Sequence, residues 1–289
     1  MLDYHAVRNW DFGDIEQAYT ERDTMLYALG VGFGEDPFDI GQLRYVYEER
    51  LQTLPTMASV LGTPGSWWED PRTGADYRRR VHGEQSIEVF AALPRAGTVV
   101  ARNHVLSITD KGEGKGAVAV VRRDIRLKGQ EQLLARATQV IFLRGDGGYS
   151  RQGGGSDPGP EPLAPVPETA PDAEVALGTI AQQALVYRLS GDYNPLHSDP
   201  EFARAAGYSR PILHGLSTFG MAAHAVIRQY CGYDATRIRR MAVRFTSPVL
   251  PGETVNFELW RADAGCVRFR ARVAARNTVV LDRGLVELL

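Results

Sequence analysis

Tyr187 to Gly220 reads YRLSGDYNPLHSDPEFARAAGYSRPILHGLSTFG, and the rest of the chain is organised around it. Gly191, Asn194, Pro195 and the Asp199-Pro200 pair are turn formers, so this part of the stretch is neither helix nor strand. Asp192 and His197 stand on it five residues apart, and the turns hold them in a fixed relation. After the Arg210-Pro211 corner, Ile212-Leu213-His214-Gly215 opens a helical pattern. A helix start presents free N–H groups and a partial positive charge to whatever lies before it. One segment therefore offers an acid, a base and an oxyanion donor, which proton transfer beside a carbonyl needs.

Downstream, the pattern predicts a helix from about Gly215 to Tyr230, ~24 Å long at 1.5 Å per residue. Leu216, Phe219, Met221, Ala222, Ala223, Ala225, Val226 and Ile227 make it apolar and small along much of its length, which suits burial. Cys231-Gly232 supplies its stop. Strands are expected over 238–249, 254–262, 265–275 and 279–289. In the third of these, Val267, Phe269, Ala271 and Val273 alternate with Arg268, Arg270 and Arg272, a period of two with one wet face. Upstream, Thr179 is the expected N-cap of a helix from Ile180 to Leu189.

The clearest boundary lies between Gly145 and Pro171. Seven glycines fall between Gly145 and Gly159, and prolines follow at 158, 160, 162, 165, 167 and 171. That composition suits a linker or long surface connection. It divides the chain into residues 1–145, a linker over 146–171 and residues 172–289. The two halves read as diverged copies. Met25 to Pro37 aligns with Leu185 to Asn194 and then, after a gap, Ser198-Asp199-Pro200. His82-Gly83 echoes His214-Gly215, and Leu93 to Val99 echoes Leu250 to Val255. Gly32 stands where the second copy has Asp192, and the segment carrying His197 is missing, so the first copy has lost the acid–base pair. Strands are expected there over 98–109, 116–127 and 131–143. Pro55, Gly62, Pro64, Gly65, Pro71 and Gly74 would break a long helix between Thr53 and Arg80.

Composition narrows the classes of function. The chain has 289 residues, 44% hydrophobic and 24% charged, with net charge −2. That is an ordinary globular balance, with no electrostatic case for nucleic acid or a membrane surface. Cys231 and Cys266 make no disulfide framework and read as reduced thiols. The polar N-terminus is not a targeting segment, and the C-terminus lacks Ser-Lys-Leu, which favours a cytoplasmic protein. The six histidines show no HxxxH or HExxH spacing, and there is no phosphate loop, GxGxxG or GxSxG. No metal and no cofactor are expected.

The stretch from Tyr187 to Pro200 resembles, almost letter for letter, the hydratase motif of MaoC-like, R-specific enoyl-CoA hydratases (hydratase 2). The resemblance extends to the hydratase 2 unit of peroxisomal multifunctional β-oxidation proteins and its free-standing bacterial counterparts. It covers nearly the whole chain, including Val81-His82-Gly83-Glu84-Gln85 and Thr109-Asp110-Lys111-Gly112. It implies an α+β double hotdog: two tandem domains, each an antiparallel sheet around a central helix, with the helix degraded in the first to admit an acyl chain. It implies reversible syn hydration of trans-2-enoyl-CoA to (3R)-3-hydroxyacyl-CoA, in fatty-acyl or sterol side-chain metabolism. Asp192 and His197 would be the catalytic pair, sharing one water; which one abstracts and which one donates stays open. Asn194 would orient water or substrate, and the Gly215 N–H would serve the oxyanion. His82, Gly83, Lys111 and Phe245 would lie along the acyl-CoA, whose coenzyme A is part of the substrate. His214 reads as structural. Trp67 and Trp68 would either limit chain length or pack, and Arg78-Arg79-Arg80 is unassigned. A homodimer is expected.

Two other classes compete. A hotdog acyl-CoA thioesterase would use a carboxylate to activate water at the carbonyl carbon, and the intact Asp192 to His197 spacing argues against it. A non-catalytic acyl-CoA-binding partner would have lost one of the pair, and both are present.

Overall fold

The computed structural model describes residues 1–263 and 265–289. Among them, ten strands form one antiparallel sheet: β1 Asp14–Tyr19, β2 Arg80–Val89, β3 Gly97–Asp110, β4 Ala117–Leu127, β5 Leu133–Leu143, β6 Ala173–Gly178, β7 Ile238–Phe245, β8 Thr254–Asp263, β9 Cys266–Val273 and β10 Thr278–Leu288. Their order is β1-β3-β4-β5-β2-β7-β10-β9-β8-β6. The order is a mirror: β1, β3, β4, β5 and β2 correspond to β6, β8, β9, β10 and β7. The halves join where β2 pairs with β7, with Glu84 opposite Arg244 and Ser86 opposite Ala242. Arg244 donates to the Glu84 carboxylate across this seam at 2.6 Å.

The helices are α1 Tyr4–Arg8, α2 Glu21–Gly30, α3 Ile40–Leu43, α4 Gln183–Tyr187, α5 Pro200–Ala205 and α6 Gly215–Tyr230. The expected long helix is α6, and every residue from Leu216 to Ile227 in it is buried. It stops as expected. Gly232 takes a left-handed φ of 57°, and the Tyr233 N–H closes back on the Ile227 carbonyl at 3.2 Å.

The first half has no such helix among the described residues. Short 3-10 turns stand at Pro55–Ser59, Trp67–Glu69, Pro71–Thr73 and Tyr77–Arg79. All five residues of the Pro55–Ser59 turn are buried, so its carbonyls need donors. Arg123 on β4, only 4% exposed, donates to Ala58 O at 3.2 Å and Ser59 O at 2.6 Å. The strand registers place Arg123 where β9 carries the core residue Phe269. A buried arginine thus replaces a buried phenylalanine in the half that lost its helix.

The internal duplication is visible where α2 packs on α4. The aligned rings of Tyr27 and Tyr187 lie 5.9 Å apart, and a side chain at Gly30 would meet Tyr187 at 3.2 Å. The Leu93–Val99 and Leu250–Val255 echo also corresponds, leading into β3 and β8. The His82-Gly83 echo does not. His82 and Gly83 lie inside β2, whereas His214 and Gly215 begin α6.

Two expectations change. The helix after Thr179 starts at Gln183, with Gln182 as N-cap. Thr179 instead donates its hydroxyl to Glu253 O at 2.7 Å and accepts from Gly252 N–H at 2.9 Å. The strand expected to reach residue 249 ends at Phe245, short of Pro248. The short edge strands β1 and β6, and the first strand of the seam, β2, escape the sequence pattern.

Residues 146–171 form a connection with defined anchors whose start is packed: Asp146 is buried, and Tyr149 is buried with Val105, Ile108 and Leu143. Asp110 accepts from the Gly148 and Ser150 N–H groups, and Asp157 accepts from Ile108 N–H. Farther along, Leu163 O accepts from Arg283 and Thr169 O from Trp260 Nε1.

Candidate active site

The stretch from Arg188 to Ala205 is built from small capped turns. Gly191 ends the Arg188–Ser190 turn at φ 119°, a conformation that side chains disfavour. Asp192 follows, and its Oδ1 accepts the Asn194 N–H at 3.2 Å. Asn194 caps the next turn, Pro195–His197, by accepting the Leu196 N–H at Oδ1, 3.1 Å away. Asp199 caps α5. Each polar side chain fixes the turn after it, so the Asp192–His197 relation is set locally.

The loop closes on the residues before α6. His197, 8% exposed, donates from Nδ1 to Ile212 O over 2.8 Å. The acceptor is a carbonyl, so Nδ1 carries the proton and Nε2 keeps a lone pair. His214 is buried, donates from Nε2 to the Asp192 main-chain carbonyl at 3.1 Å, and stacks on His197 with ring centres 3.7 Å apart. A carboxylate oxygen of Asp192 and ring nitrogens of His197 and His214 lie within 4.8 Å of one another. By donor count this trio could also hold a cation, although two ring nitrogens are already spent on carbonyls.

Burial holds the histidines neutral. It lowers the His197 pKa, with the Asp192 carboxylate opposing. It takes His214 down to about 3, helped by His197. A neutral His197 can accept a proton at Nε2 near pH 7.

Gly215 is exposed although the rest of the first two turns of α6 is buried. No side chain caps α6; the Ser217 and Thr218 N–H groups bond to His214 O, which leaves those of Gly215 and Leu216 without a partner among the described residues. A Cβ at Gly215 would stand 3.0 Å from the Phe245 ring. That ring in turn lies 4.9 Å from the His82 imidazole. His82 has its Nε2 buried without a partner among the described residues, and burial lowers its pKa to about 4. Gly83 stands at a register shift between β2 and β5. The structure therefore brings Asp192, Asn194, His197, Gly215, Phe245 and His82 together, with Gly83 alongside.

Lys111 stands apart. It opens the β3–β4 turn, bonded through its N–H to Gly116 O at 3.0 Å. Three strand spacings, roughly 14 Å, separate β3 from β2. Trp67 and Trp68 pack: Trp68 is buried in a second core with Val105, Ile108 and Leu143, and Trp67 lies against Trp10 and Phe12.

Two arginines belong to the surroundings of the site and escape a sequence reading. Arg80, half-buried two residues before His82, lies in the electrostatic field of Glu69 and Asp192. Arg188 holds its guanidinium over the Tyr193 ring at 4.9 Å, with Nε buried and unpartnered among the described residues. The position of Arg188 inside the motif was the available signal; Arg80 was hidden in a run of three arginines.

Comparison with known proteins gives a consistent picture. The profile described as MaoC like domain matches residues 162–282, and that described as MFE-2 hydratase 2 N-terminal domain matches residues 17–145. The chain is 42% identical over 280 residues to 3-hydroxyacyl-thioester dehydratase Y of Mycobacterium tuberculosis, covering 93% of this chain and 92% of that one. It is 38% identical to a peroxisomal enoyl-CoA hydratase 2 of Arabidopsis thaliana, covering 91% and 88%. A solved MaoC-like dehydratase from Phytophthora capsici superimposes with a TM-score of 0.86 at 33% identity, over 100% of this chain and 99% of that one.

Proposed function

Because the chain belongs to the MaoC-like, hydratase 2 family, we propose that it is an (R)-specific enoyl-CoA hydratase. It adds water reversibly to trans-2-enoyl-CoA and gives (3R)-3-hydroxyacyl-CoA. The observation that carries the reading is the meeting of Asp192 and His197 beside the open N-terminus of α6.

One water sits between the Asp192 carboxylate and His197 Nε2. Its oxygen bonds to Cβ, and the pair takes one of its protons. The same pair returns a proton to Cα, on the same face, so addition is syn. Negative charge moves to the thioester oxygen meanwhile. The Gly215 N–H receives it, supported by the helix dipole. Asn194 spends Oδ1 on its own turn, which leaves Nδ2 to orient water or substrate. Phe245, His82 and Gly83 flank the thioester, and Lys111 meets a more distant part of coenzyme A. No group beyond the substrate's own coenzyme A is required.

In this reading residues 1–145 form a non-catalytic hotdog that binds acyl chain and coenzyme A. Residues 146–171 connect it to the catalytic hotdog, 172–289. We extend the proposal to a cytoplasmic homodimer. No helix among the described residues is long and apolar enough to cross a membrane. Sedimentation of the purified chain tests the dimer.

The test of function follows crotonyl-CoA and trans-2-decenoyl-CoA by the absorbance of the conjugated thioester. An R-specific dehydrogenase then assays the product. Loss of the band with an R product supports the hydratase; release of free coenzyme A would establish a thioesterase instead.

A further inference from the structure

A second site lies at the far edge of the first half. A cavity of about 390 Å³ is lined by Arg8, Asn9, Trp10, His104, Val105, Leu106 and Arg122. It forms because β1 pairs with β3 only as far as Arg102. Beyond that point β3 carries a bulge: Val105 faces Val121 and Ser107 faces Val120, so Leu106 has no partner in the β4 ladder. Four strand spacings separate β3 from β7, roughly 19 Å, so the cavity is remote from Gly215 and Phe245.

Its two arginines share their carboxylates with other groups. Arg8 donates from Nη1 to Val105 O at 2.8 Å, and Asp157 is its nearest carboxylate, at 3.3 Å. It already accepts from Ile108 N–H at 2.8 Å and Tyr4 Oη at 3.0 Å. Asp124 is 3.5 Å from Arg122, but its closer partner is Arg136 at 2.7 Å. Arg122 Nε is buried with no hydrogen-bond partner among the described residues, a state that costs free energy; the phosphate would meet the outer nitrogens of the guanidinium. His104 adds a third nitrogen-bearing side chain, and Trp10 adds an aromatic ring that also meets the Arg72 guanidinium at 4.6 Å and the Trp67 ring at 5.3 Å.

We propose that this cavity binds a phosphate monoester, with Arg8 and Arg122 on the phosphate and Trp10 beside its organic part. Arginine forks match phosphate oxygens in geometry and charge, and an aromatic wall suits a base or ring. The site is independent of the catalytic centre and of the reaction assigned to it.

Calorimetric titration of the intact protein with AMP tests this. Saturable binding is expected, with inorganic phosphate displacing AMP. Arg122→Gln should lower affinity about tenfold, the loss of one charge-assisted bond, and Arg122→Lys by less, since it keeps the charge and loses the fork. Both variants should melt as wild type does and turn over crotonyl-CoA normally. The proposal is overturned by the lack of saturable binding at ~10 mM AMP or by unchanged affinity in a folded Arg122→Gln.

Discussion

His197 donates from Nδ1 to the carbonyl of Ile212, fifteen residues away in sequence and 2.8 Å in space. That bond decides the tautomer, and the tautomer decides what the ring can do. With Nδ1 occupied as a donor, Nε2 is left as a lone pair beside the Asp192 carboxylate.

Gly215 combines an exposed position at the start of α6 with a tight wall. Gly215→Ala would place Cβ 3.0 Å from the Phe245 ring and, in the proposed mechanism, into the path of the thioester oxygen. The variant should fold and lose about 10²-fold in kcat/KM, comparable to removing an oxyanion donor. Gly215→Ala with Phe245→Leu separates the causes. Steady-state kinetics of the double variant should show no recovery, because the methyl group itself blocks the approach.

Burial of neutral histidines should make the fold acid-sensitive. His224, fully buried in α6, stacks on Phe33 at 3.8 Å with neither ring nitrogen paired among the described residues. Burial lowers its pKa to about 4, against ~6.5 unfolded. The unfolded chain therefore binds the proton first as pH falls. The contribution is complete above about pH 6.5 and is lost progressively toward pH 4. For His224 alone the loss at pH 5 is about 2 kcal/mol. Urea unfolding at pH 7 and pH 5 should show it, and His224→Leu should remove about that much of the difference.

Arg123 should be structural despite its charge. Arg123→Met leaves the buried carbonyls of Ala58 and Ser59 without their donor. The expected destabilisation is about 2–4 kcal/mol, read as a fall in the urea midpoint. Conversely, Phe269→Arg should fail to fold, since β9 faces an intact helix with no freed carbonyls.

Asn194 does two jobs that substitutions can divide. Asn194→Asp keeps the acceptor for Leu196 N–H and should keep the melting temperature, while losing the Nδ2 donor and hence kcat. Asn194→Ala should lose both, with about 1 kcal/mol of stability.

Much of this architecture was written in local pattern. The apolar run from Leu216 to Ile227 marked the central helix, and alternation from Val267 to Val273 marked its strand. The breakers between Pro55 and Gly74 marked the missing helix. What stayed hidden depends on distant partners. Nothing near Arg123 signals burial, because its need arises from carbonyls more than sixty residues away. The contact of His214 with the Asp192 carbonyl spans 22 residues and gives that histidine a place in the site. The shared His-Gly pair misled because two letters carry little information about backbone conformation. β1 and β6 leave little alternation in the sequence because edge strands bury one face only in part.

The most direct test compares turnover of crotonyl-CoA by wild type, Asp192→Asn and His197→Gln, at equal melting temperature. The account predicts hydration to an R product by wild type and a loss of at least 10²–10⁴-fold in each variant. Near-normal hydration by either folded variant would contradict it.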